Sequence, residues 1–306
     1  MPFTRRLIRT SPMMRGEDVE AVQTRLLELG FDEVGRADGI YGGDSAAGVR
    51  AFQRQAGLAV TGEVDEATWD ALFAEATEPT APTVAGDLLT GLTENHGIFG
   101  SVQWRLAPDG LRIADQPPEH TGGRPLTVGR VWDAFGASIE RWGSHYGVPV
   151  ELIISTACTE TRGDPEKIRR EPGFISDEAT PHRISPGLMQ TLISTAREAL
   201  AGQTGDTIDR AWLLVPDNSI RAGTAYISQQ KPKTAYDPPK VACAYNAGSI
   251  IRNDGSENRW KMRQFPIGTS EHADRFVAWF NDCFRLFAEL DEPPENSFWR
   301  ALHPSS

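Results

Sequence analysis

Cysteine and paired histidine are scarce in this sequence. The 306 residues include three cysteines, Cys158, Cys243 and Cys283, and their spacing is not that of a metal site. An odd number leaves at least one unpaired within the chain, and we predict that all three are reduced core residues. The six histidines are scattered without a pair at i, i+4. The sequence therefore predicts no metal and no cofactor, and it argues against a zinc amidase or peptidase.

Long apolar runs and an excess of positive charge are also missing. No run approaches the roughly 20 residues of a membrane span, and residues 1–10 lack the apolar core of about 7–15 residues that a secretory signal requires. We therefore expect no membrane span and synthesis in the cytoplasm without a signal peptide. The net charge of −11 argues against nucleic acid as a partner. No glycine-rich phosphate loop and no nucleophile-elbow pattern occurs.

The first 78 residues carry the pattern of a small helical domain. Apolar residues recur at spacings of three and four in residues 18–30, and a glycine closes that segment. A turn at Asp38-Gly39 leads to a second amphipathic segment that includes Val49 and Phe52. A third helix is predicted over residues 66–73. Residues 38–49 and 61–69 share a turn-then-helix plan, which is a weak internal repeat.

These residues together resemble the peptidoglycan-binding domain type 1 family. The resemblance implies a three-helix domain that holds the cell wall. Asp38, Gly39 and Tyr41 are the candidate wall-binding residues, with turn chemistry as the alternative explanation for Asp38 and Tyr41. Small departures from the family pattern occur at Ser45, Gly48 and Asp65. The match rests on Val22-Gln23, Leu29-Gly30-Phe31, Asp38-Gly39-Ile40-Tyr41-Gly42, Val49, Phe52-Gln53, Gly57-Leu58, Gly62 and Thr68-Trp69.

The segment 79–125 is predicted to be a linker followed by a possible β-hairpin. Residues 77–86 are rich in proline, threonine and alanine, as flexible linkers are. Residues 102–114 read as a hairpin around Pro108-Asp-Gly110. Trp104, in its first strand, either packs on the following domain or lines a substrate groove. From residue 126 to 306 helical spacing dominates, so the predicted fold is mainly α.

Three segments in this second half carry chemistry. They are Ser155–Gly163, Ser185–Gln190 and Ala244–Gly248. In this order they resemble the catalytic signature of soluble lytic transglycosylases and goose-type lysozymes. The resemblance covers roughly the C-terminal half of the chain. It implies a lysozyme-like domain over 126–306 that cleaves the β-1,4 bond between N-acetylmuramic acid and N-acetylglucosamine in peptidoglycan.

Glu160 is the candidate catalytic residue. It ends a mostly apolar helix, and apolar neighbours such as Ile154 and Cys158 would raise the pKa of its carboxyl, as a glycosidase proton donor requires. The resemblance implies that Met189 and Gln190 lie beside this carboxyl, that Tyr245 orients it and that Asn246 supports the loop or the sugar. The full set of predicted substrate-binding residues is Thr161, Ser185, Gly187, Met189, Gln190, Tyr245 and Asn246.

The missing second carboxylate favours one reaction over another. Goose-type lysozymes place an Asp shortly after Gly-Leu-Met-Gln, and this chain has Thr191-Leu-Ile193 there. A lytic transglycosylase needs only one Glu, because the C6 hydroxyl of the substrate closes a 1,6-anhydro ring. A hydrolytic lysozyme is the alternative, with a base drawn from Glu171, Asp177 or Glu178 in the loop 168–184.

The combined expectation is a monomeric, two-domain enzyme whose partner is peptidoglycan. A phage-type endolysin that lyses the host is the favoured setting. A virion-associated muramidase, a secreted effector and an exported bacterial enzyme stay open as alternatives. A wall-binding protein without turnover is the alternative outside enzymology.

Overall fold

A computed structural model describes residues 3–29, 31–56, 58–73 and 86–304. The chain forms two compact units, Met1–Pro79 and Thr80–Ser306. Helices dominate both, and the strands of the described residues form two antiparallel sheets of two strands each. The predicted mainly α fold is therefore confirmed. Of the helices in these ranges, none is both long and apolar enough to cross a bilayer.

The smaller unit contains the three predicted helices. They are α1 (Glu17–Glu28), α2 (Gly43–Gln55) and α3 (Glu66–Phe73), with a short 3₁₀ turn at Asp32–Val34. Their apolar faces enclose one core that includes Val22, Leu26, Val49, Trp69 and Leu72. The glycine predicted to close α1 lies outside the described residues.

The internal repeat has a physical basis in two buried glutamines. The side-chain oxygen of Gln23 accepts hydrogen bonds from the backbone N–H groups of Asp38 and Gly39. Its amide nitrogen donates to the Ile40 carbonyl and to the Ser45 hydroxyl. One side chain thus supplies hydrogen-bond partners to backbone groups of a turn that lie outside the helices and strands.

Gln53 repeats this arrangement one helix later. Its oxygen accepts from the N–H groups of Thr61 and Gly62, and its nitrogen donates to the Glu63 carbonyl and the Thr68 hydroxyl. Both turn glycines have positive φ, 68° at Gly39 and 71° at Gly62. The weak sequence repeat is therefore a repeated glutamine-held turn.

The larger unit follows the predicted linker, which lies outside the described residues except for Gly86. Five of its described helices have ten or more residues, and shorter helices connect them. The helices are α4 (Gly86–Thr93), α5 (Leu126–Tyr146), α6 (Val150–Thr161), α7 (Ile193–Ala199), α8 (Arg210–Leu214), α9 (Pro216–Gln229), α10 (Lys231–Thr234), α11 (Pro238–Ala247), α12 (Glu271–Phe287) and α13 (Phe298–Leu302).

The hairpin predicted around residues 108–110 is confirmed. It pairs β1 (Trp104–Ala107) with β2 (Gly110–Ile113) in antiparallel register. Trp104 is fully buried in the core of the larger unit, and its indole N–H donates to Asp237 at 2.8 Å. Of the two placements considered for this tryptophan, the structure has the packed one.

A second small sheet forms where the sequence suggested only a loop. β3 (Ile168–Arg170) pairs antiparallel with β4 (Ile184–Pro186). All three β3 residues are exposed, whereas all three β4 residues are buried. Strands this short carry too few residues to show an alternation pattern, which is why the sequence did not predict them.

Helix α6 is the central element of the larger unit. It packs against α5 and α12, and ten of its twelve residues are buried. Two of its buried hydroxyls are satisfied within the helix, since Ser155 and Thr156 donate to the carbonyls of Glu151 and Leu152. The three cysteines are buried and free, as predicted.

Candidate active site

Glu160 lies where the buried helix α6 reaches the surface. The helix ends at Thr161, and the next two residues turn the chain away with positive φ, 57° at Arg162 and 86° at Gly163. The Glu160 side chain is 15% exposed. A carboxyl held in this way sits in a mostly apolar surround but can be reached from outside.

The environment of Glu160 favours its protonated form. Burial raises the pKa of this carboxyl to about 7, and the positive charges of Arg169, Arg275 and Lys167 oppose that rise. The desolvation effect exceeds the combined effect of the three cations. At neutral pH the group is divided between acid and base, which is the condition for donating and then recovering a proton.

His272 lies close to the Glu160 carboxyl. Its Nε2 is 3.7 Å from Glu160 Oε1, and its side chain is only 5% exposed. Burial, Arg275 and Arg169 lower the pKa of this imidazole to about 3, so it is neutral at physiological pH. Sequence reasoning missed this residue, because it stands at the start of α12 without a local motif.

The segment 187–191 packs against helices α8 and α9. Gly187 has a φ of 83°, and a Cβ at this position would lie 2.0 Å from the Leu213 carbonyl oxygen. Only glycine fits here. Met189 is fully buried, and its backbone N–H donates to the Ser219 hydroxyl. Gly223 on α9 leaves the space that the methionine side chain fills.

Two side chains tie this segment to the other motif segments. The Thr161 hydroxyl, at the end of α6, lies 2.9 Å from the carbonyl oxygens of both Ala157 and Leu188. The Tyr245 hydroxyl, on α11, donates to the Met189 carbonyl at 2.9 Å. The three motif segments, distant in sequence, are therefore joined by direct hydrogen bonds.

Tyr245 faces this junction and Glu160 together. Its hydroxyl also lies 2.8 Å from the Thr191 hydroxyl. Burial raises the pKa of Tyr245 above its usual range, and the negative charge of Glu160 adds to the rise. The tyrosine is therefore electrostatically coupled to the carboxyl, while its hydrogen bonds go to the 187–191 segment.

The side chains of Gln190 and Asn246 mainly form hydrogen bonds with backbone groups. The amide nitrogen of Gln190 donates to the carbonyls of Lys167 and Gly187, each at 2.9 Å. Its side-chain oxygen is buried and has no hydrogen-bond partner among the described residues. The side-chain oxygen of Asn246 accepts from the Phe265 N–H at 2.7 Å. The Gln190 oxygen is therefore a buried acceptor that substrate could use.

Ser185 and Thr161 are less accessible than a direct sugar contact would require. Both are buried, and Ser185 pairs with Arg169 across the β3–β4 sheet. Thr161 uses its hydroxyl in the junction described above. Their assignment as substrate-binding residues stays a prediction, and the structure gives each of them a packing role.

The three predicted wall-binding residues share one turn of the smaller unit. Asp38 is exposed and accepts from the Ile40 N–H, and the backbone of Gly39 is held by Gln23. Tyr41 is fully buried and its hydroxyl donates to the Gly62 carbonyl. Contact between Tyr41 and a glycan would require the side chain to leave the core, whereas Asp38 is available at the surface.

The three acids considered as a second base are engaged elsewhere or exposed. Glu171 pairs with Arg169 at 2.8 Å, and Asp177 pairs with Arg210 at 2.6 Å. Asp177 and Glu178 line an open pocket whose lining does not include Glu160. None of the three contributes to the shifted pKa of Glu160. In the part of the chain that the structure describes, no group of three acidic, histidine or cysteine side chains could hold a metal ion.

Comparison with known families assigns both units. Residues 15–72 match the family model described as "Putative peptidoglycan binding domain". Residues 137–264 match the family model described as "Transglycosylase SLT domain". The second match contains Glu160, Gly187–Gln190 and Tyr245–Asn246. A search of curated proteins found no match.

Solved structures similar to this chain include two lytic transglycosylases. One is the 70 kDa soluble lytic transglycosylase SLT70 from Escherichia coli, and the other is an inactive mutant of lytic transglycosylase Slt from Pseudomonas aeruginosa. Each is 19% identical to this chain, and each match covers 54% of this chain with a TM-score of 0.38. The chain spans 26% of each of these proteins. On the two family matches, the chain joins a member of the peptidoglycan-binding domain family at residues 15–72 to a member of the SLT transglycosylase domain family at residues 137–264.

Proposed function

We propose that the chain is a peptidoglycan lytic transglycosylase. It cleaves the β-1,4 bond between N-acetylmuramic acid and N-acetylglucosamine, and the smaller unit holds the enzyme on the wall. The single observation that carries this proposal is the placement of Glu160, whose carboxyl is 15% exposed at the end of the buried helix α6 and has a pKa raised by burial without any contribution from a second carboxylate. A solitary acid of this kind suits a reaction in which one group serves as acid and then as base.

The reaction proceeds in two proton transfers at Glu160. Protonated Glu160 first donates to the glycosidic oxygen, while the substrate's own N-acetyl group stabilises the positive charge that develops at the anomeric carbon. The resulting carboxylate then accepts the proton of the C6 hydroxyl as that oxygen bonds to C1. The 1,6-anhydro ring closes, and Glu160 returns to its protonated state without water being consumed.

The products released from purified peptidoglycan test this proposal. Mass spectrometry of soluble fragments is expected to show 1,6-anhydro-N-acetylmuramic acid ends for the wild type and none for Glu160→Gln. Ordinary reducing ends, heavier by one water, would reject the transglycosylase reaction and indicate hydrolysis with a base from Glu171, Asp177 or Glu178. Activity that survives Glu160→Gln would reject the assignment of the proton donor.

We also propose that the chain acts in host-cell lysis as a phage-type endolysin. The support is the pairing of a wall-holding unit with a glycan-cleaving unit in one short chain, because tethering raises the local concentration of substrate. Cytoplasmic expression in a Gram-negative host is expected to leave cells intact until a membrane pore is co-expressed, and then to lyse them. Lysis that is equally fast without the pore would contradict this setting.

A further inference from the structure

We propose that His272 is a positioning residue for Glu160. Its neutral imidazole donates the Nε2 hydrogen to Glu160 Oε1 and so keeps the other carboxyl oxygen, Oε2, as the one that exchanges protons with substrate. This inference rests on the function proposed above and adds a residue to its machinery.

The geometry places the two groups in direct reach. The 3.7 Å between His272 Nε2 and Glu160 Oε1 is about 0.5 Å longer than an ordinary hydrogen bond. Catalytic hydrogen bonds are often this loose in the free enzyme and shorten when substrate is bound. The backbone beside the histidine is fixed, since the Ala273 N–H donates to the buried Gln264 side chain at 2.8 Å. A small rotation of either side chain therefore completes the bond.

Neither side chain is engaged by another part of the protein that the structure describes. Among the described residues, no other hydrogen bond is formed by the imidazole of His272 or by the carboxyl of Glu160. The one hydrogen bond to Glu160 from outside its helix reaches its backbone carbonyl, from Lys167. In the described part of the chain, the two groups therefore approach each other without a competing protein hydrogen bond to either side chain.

Burial, with the positive charges around the pair, keeps the histidine neutral. Arg275 lies on the same helix, Arg169 lies on β3, and both lower the pKa of His272 together with burial. The same two arginines act on Glu160, as does Lys167, and Tyr245 faces the carboxyl from α11. A protonated histidine at this distance would hold Glu160 as a carboxylate. A neutral one stabilises the carboxylate less, so the acid step remains possible.

A neutral donor to Oε1 suits both halves of the reaction. In the acid state, Oε1 is the carbonyl oxygen and accepts from His272, so the acidic proton resides on Oε2. In the base state, Oε1 carries part of the negative charge and accepts more strongly, while Oε2 receives the proton of the C6 hydroxyl. One oxygen of Glu160 thereby performs both transfers.

The first test measures the carboxyl directly and does not depend on turnover. Full-length protein labelled with ¹³C at glutamate side chains is titrated by NMR, and Glu160→Gln identifies the Glu160 signal. A hydrogen bond to the charged form lowers a pKa. The Glu160 midpoint is therefore expected to rise by about half a unit to one unit in His272→Leu, and to return toward the wild-type value in His272→Gln. An unchanged midpoint in His272→Leu overturns the proposal.

The second test separates positioning from folding. His272→Leu is expected to lower kcat about 10- to 100-fold with KM within about twofold, and His272→Gln, which retains an N–H donor, is expected to recover most of the loss. Phe276→Leu is the matched control, because Phe276 is a buried core residue one turn further along α12. Equal losses in His272→Leu and Phe276→Leu, or no recovery in His272→Gln, would mean that His272 only packs.

The two experiments also separate this inference from the proposed function. Should Glu160→Gln retain activity, the proposed function fails, while the NMR titration still reports whether His272 bonds to the carboxyl. Should His272→Leu fail to fold, the titration and kinetics of His272→Gln and His272→Asn decide the matter. Asn is too short to reach Oε1, so it is expected to behave as Leu does, and wild-type behaviour of His272→Asn contradicts the proposal.

Discussion

The buried polar side chains of the two units differ in how completely they are satisfied. In the smaller unit, Gln23 and Gln53 use both ends of their amides in hydrogen bonds to turns and hydroxyls. In the larger unit, Glu160 and His272 lie 3.7 Å apart, and among the described residues neither side chain has another polar contact. A buried group with its hydrogen bonds complete holds a fold together, whereas a group without a protein hydrogen bond is free to bond to substrate.

Access from outside separates two buried acids within the larger unit. Burial raises the pKa of both Glu151 and Glu160 to about 7. Glu151 is fully buried and accepts from the Trp299 N–H at 2.8 Å, so it holds the short helix α13 in place. Glu160 has the same shift but is open to the outside. A raised pKa alone therefore does not identify a catalytic acid, and access decides between the two.

Replacing Glu160 by Gln is expected to have the largest effect on activity. Loss of the proposed proton donor is expected to reduce kcat by about 1000-fold. The same change removes a desolvated carboxylate, so stability at pH 8 is expected to rise. Product release from peptidoglycan and urea unfolding at pH 8 measure the two effects. A variant that is both inactive and less stable would show that Glu160 has a structural role as well.

Gly187→Ala is expected to be the most destabilising single change. The new Cβ would lie 2.0 Å from the Leu213 carbonyl at a positive φ, so the segment that contains Met189 and Gln190 must move. We expect a loss of about 4 kcal/mol and of most activity. Gly248→Ala is the matched control, since its φ is also 83° but no atom lies within 4 Å of the new Cβ. It is expected to cost about 1 kcal/mol.

Gln23→Ala tests the buried glutamines of the smaller unit, whose side chains are fully hydrogen-bonded. It would leave the N–H groups of Asp38 and Gly39 without their acceptor, and we expect the smaller unit to lose about 3 kcal/mol. Hydrogen exchange at these two amides is the measurement, and Gln53→Ala should have the corresponding effect at Thr61 and Gly62. Activity on soluble glycan fragments is expected to stay unchanged in both variants. A loss of that activity would break the separation between the units.

The pH dependence of stability tests Glu151. Its pKa is about 7 in the folded state and 4.5 in the ordinary reference state, so the unfolded chain loses this proton first as the pH rises. Stability is therefore expected to fall between about pH 4.5 and pH 7, by up to about 3 kcal/mol, and then to level off. Glu160 has the same raised pKa and adds a decline of its own, so Glu151→Gln should remove only the part that Glu151 contributes. The bond from the Trp299 N–H should be retained, and activity should persist. A decline that is equally steep in Glu151→Gln would assign it to other groups.

Several elements of the fold were predictable from the sequence because they obey local rules. Helix α3 forms over the predicted residues 66–73, and the hairpin forms around Pro108–Gly110, since amphipathic spacing and turn chemistry act over short distances. The β3–β4 sheet was not predicted, because it joins two strands of three residues through a long loop. Tyr41 looked like a candidate ligand contact, and its burial depends on the core around Gly62.

The candidate site also contains residues that local patterns predict and residues that only tertiary packing brings together. Glu160 was predictable from an apolar helix that ends at a glycine, together with the two motif segments that resemble known families. His272 was not, because its significance arises only when α12 packs on α6 and brings it to 3.7 Å from the carboxyl. The hydrogen bond from Tyr245 to the Met189 carbonyl could not be read from either motif alone.

The mounting of Glu160 at the end of a rigid, buried helix has a consequence for the order of events. In the proposed reaction, a carboxyl on such a helix meets both of its reaction partners at nearly the same point in space. The departing sugar oxygen therefore has to withdraw before the C6 hydroxyl can take its place. On this proposal, ring closure waits for the exit of one half of the cut strand, so anything that retains that half, such as an uncut cross-link, slows turnover after the bond is already broken.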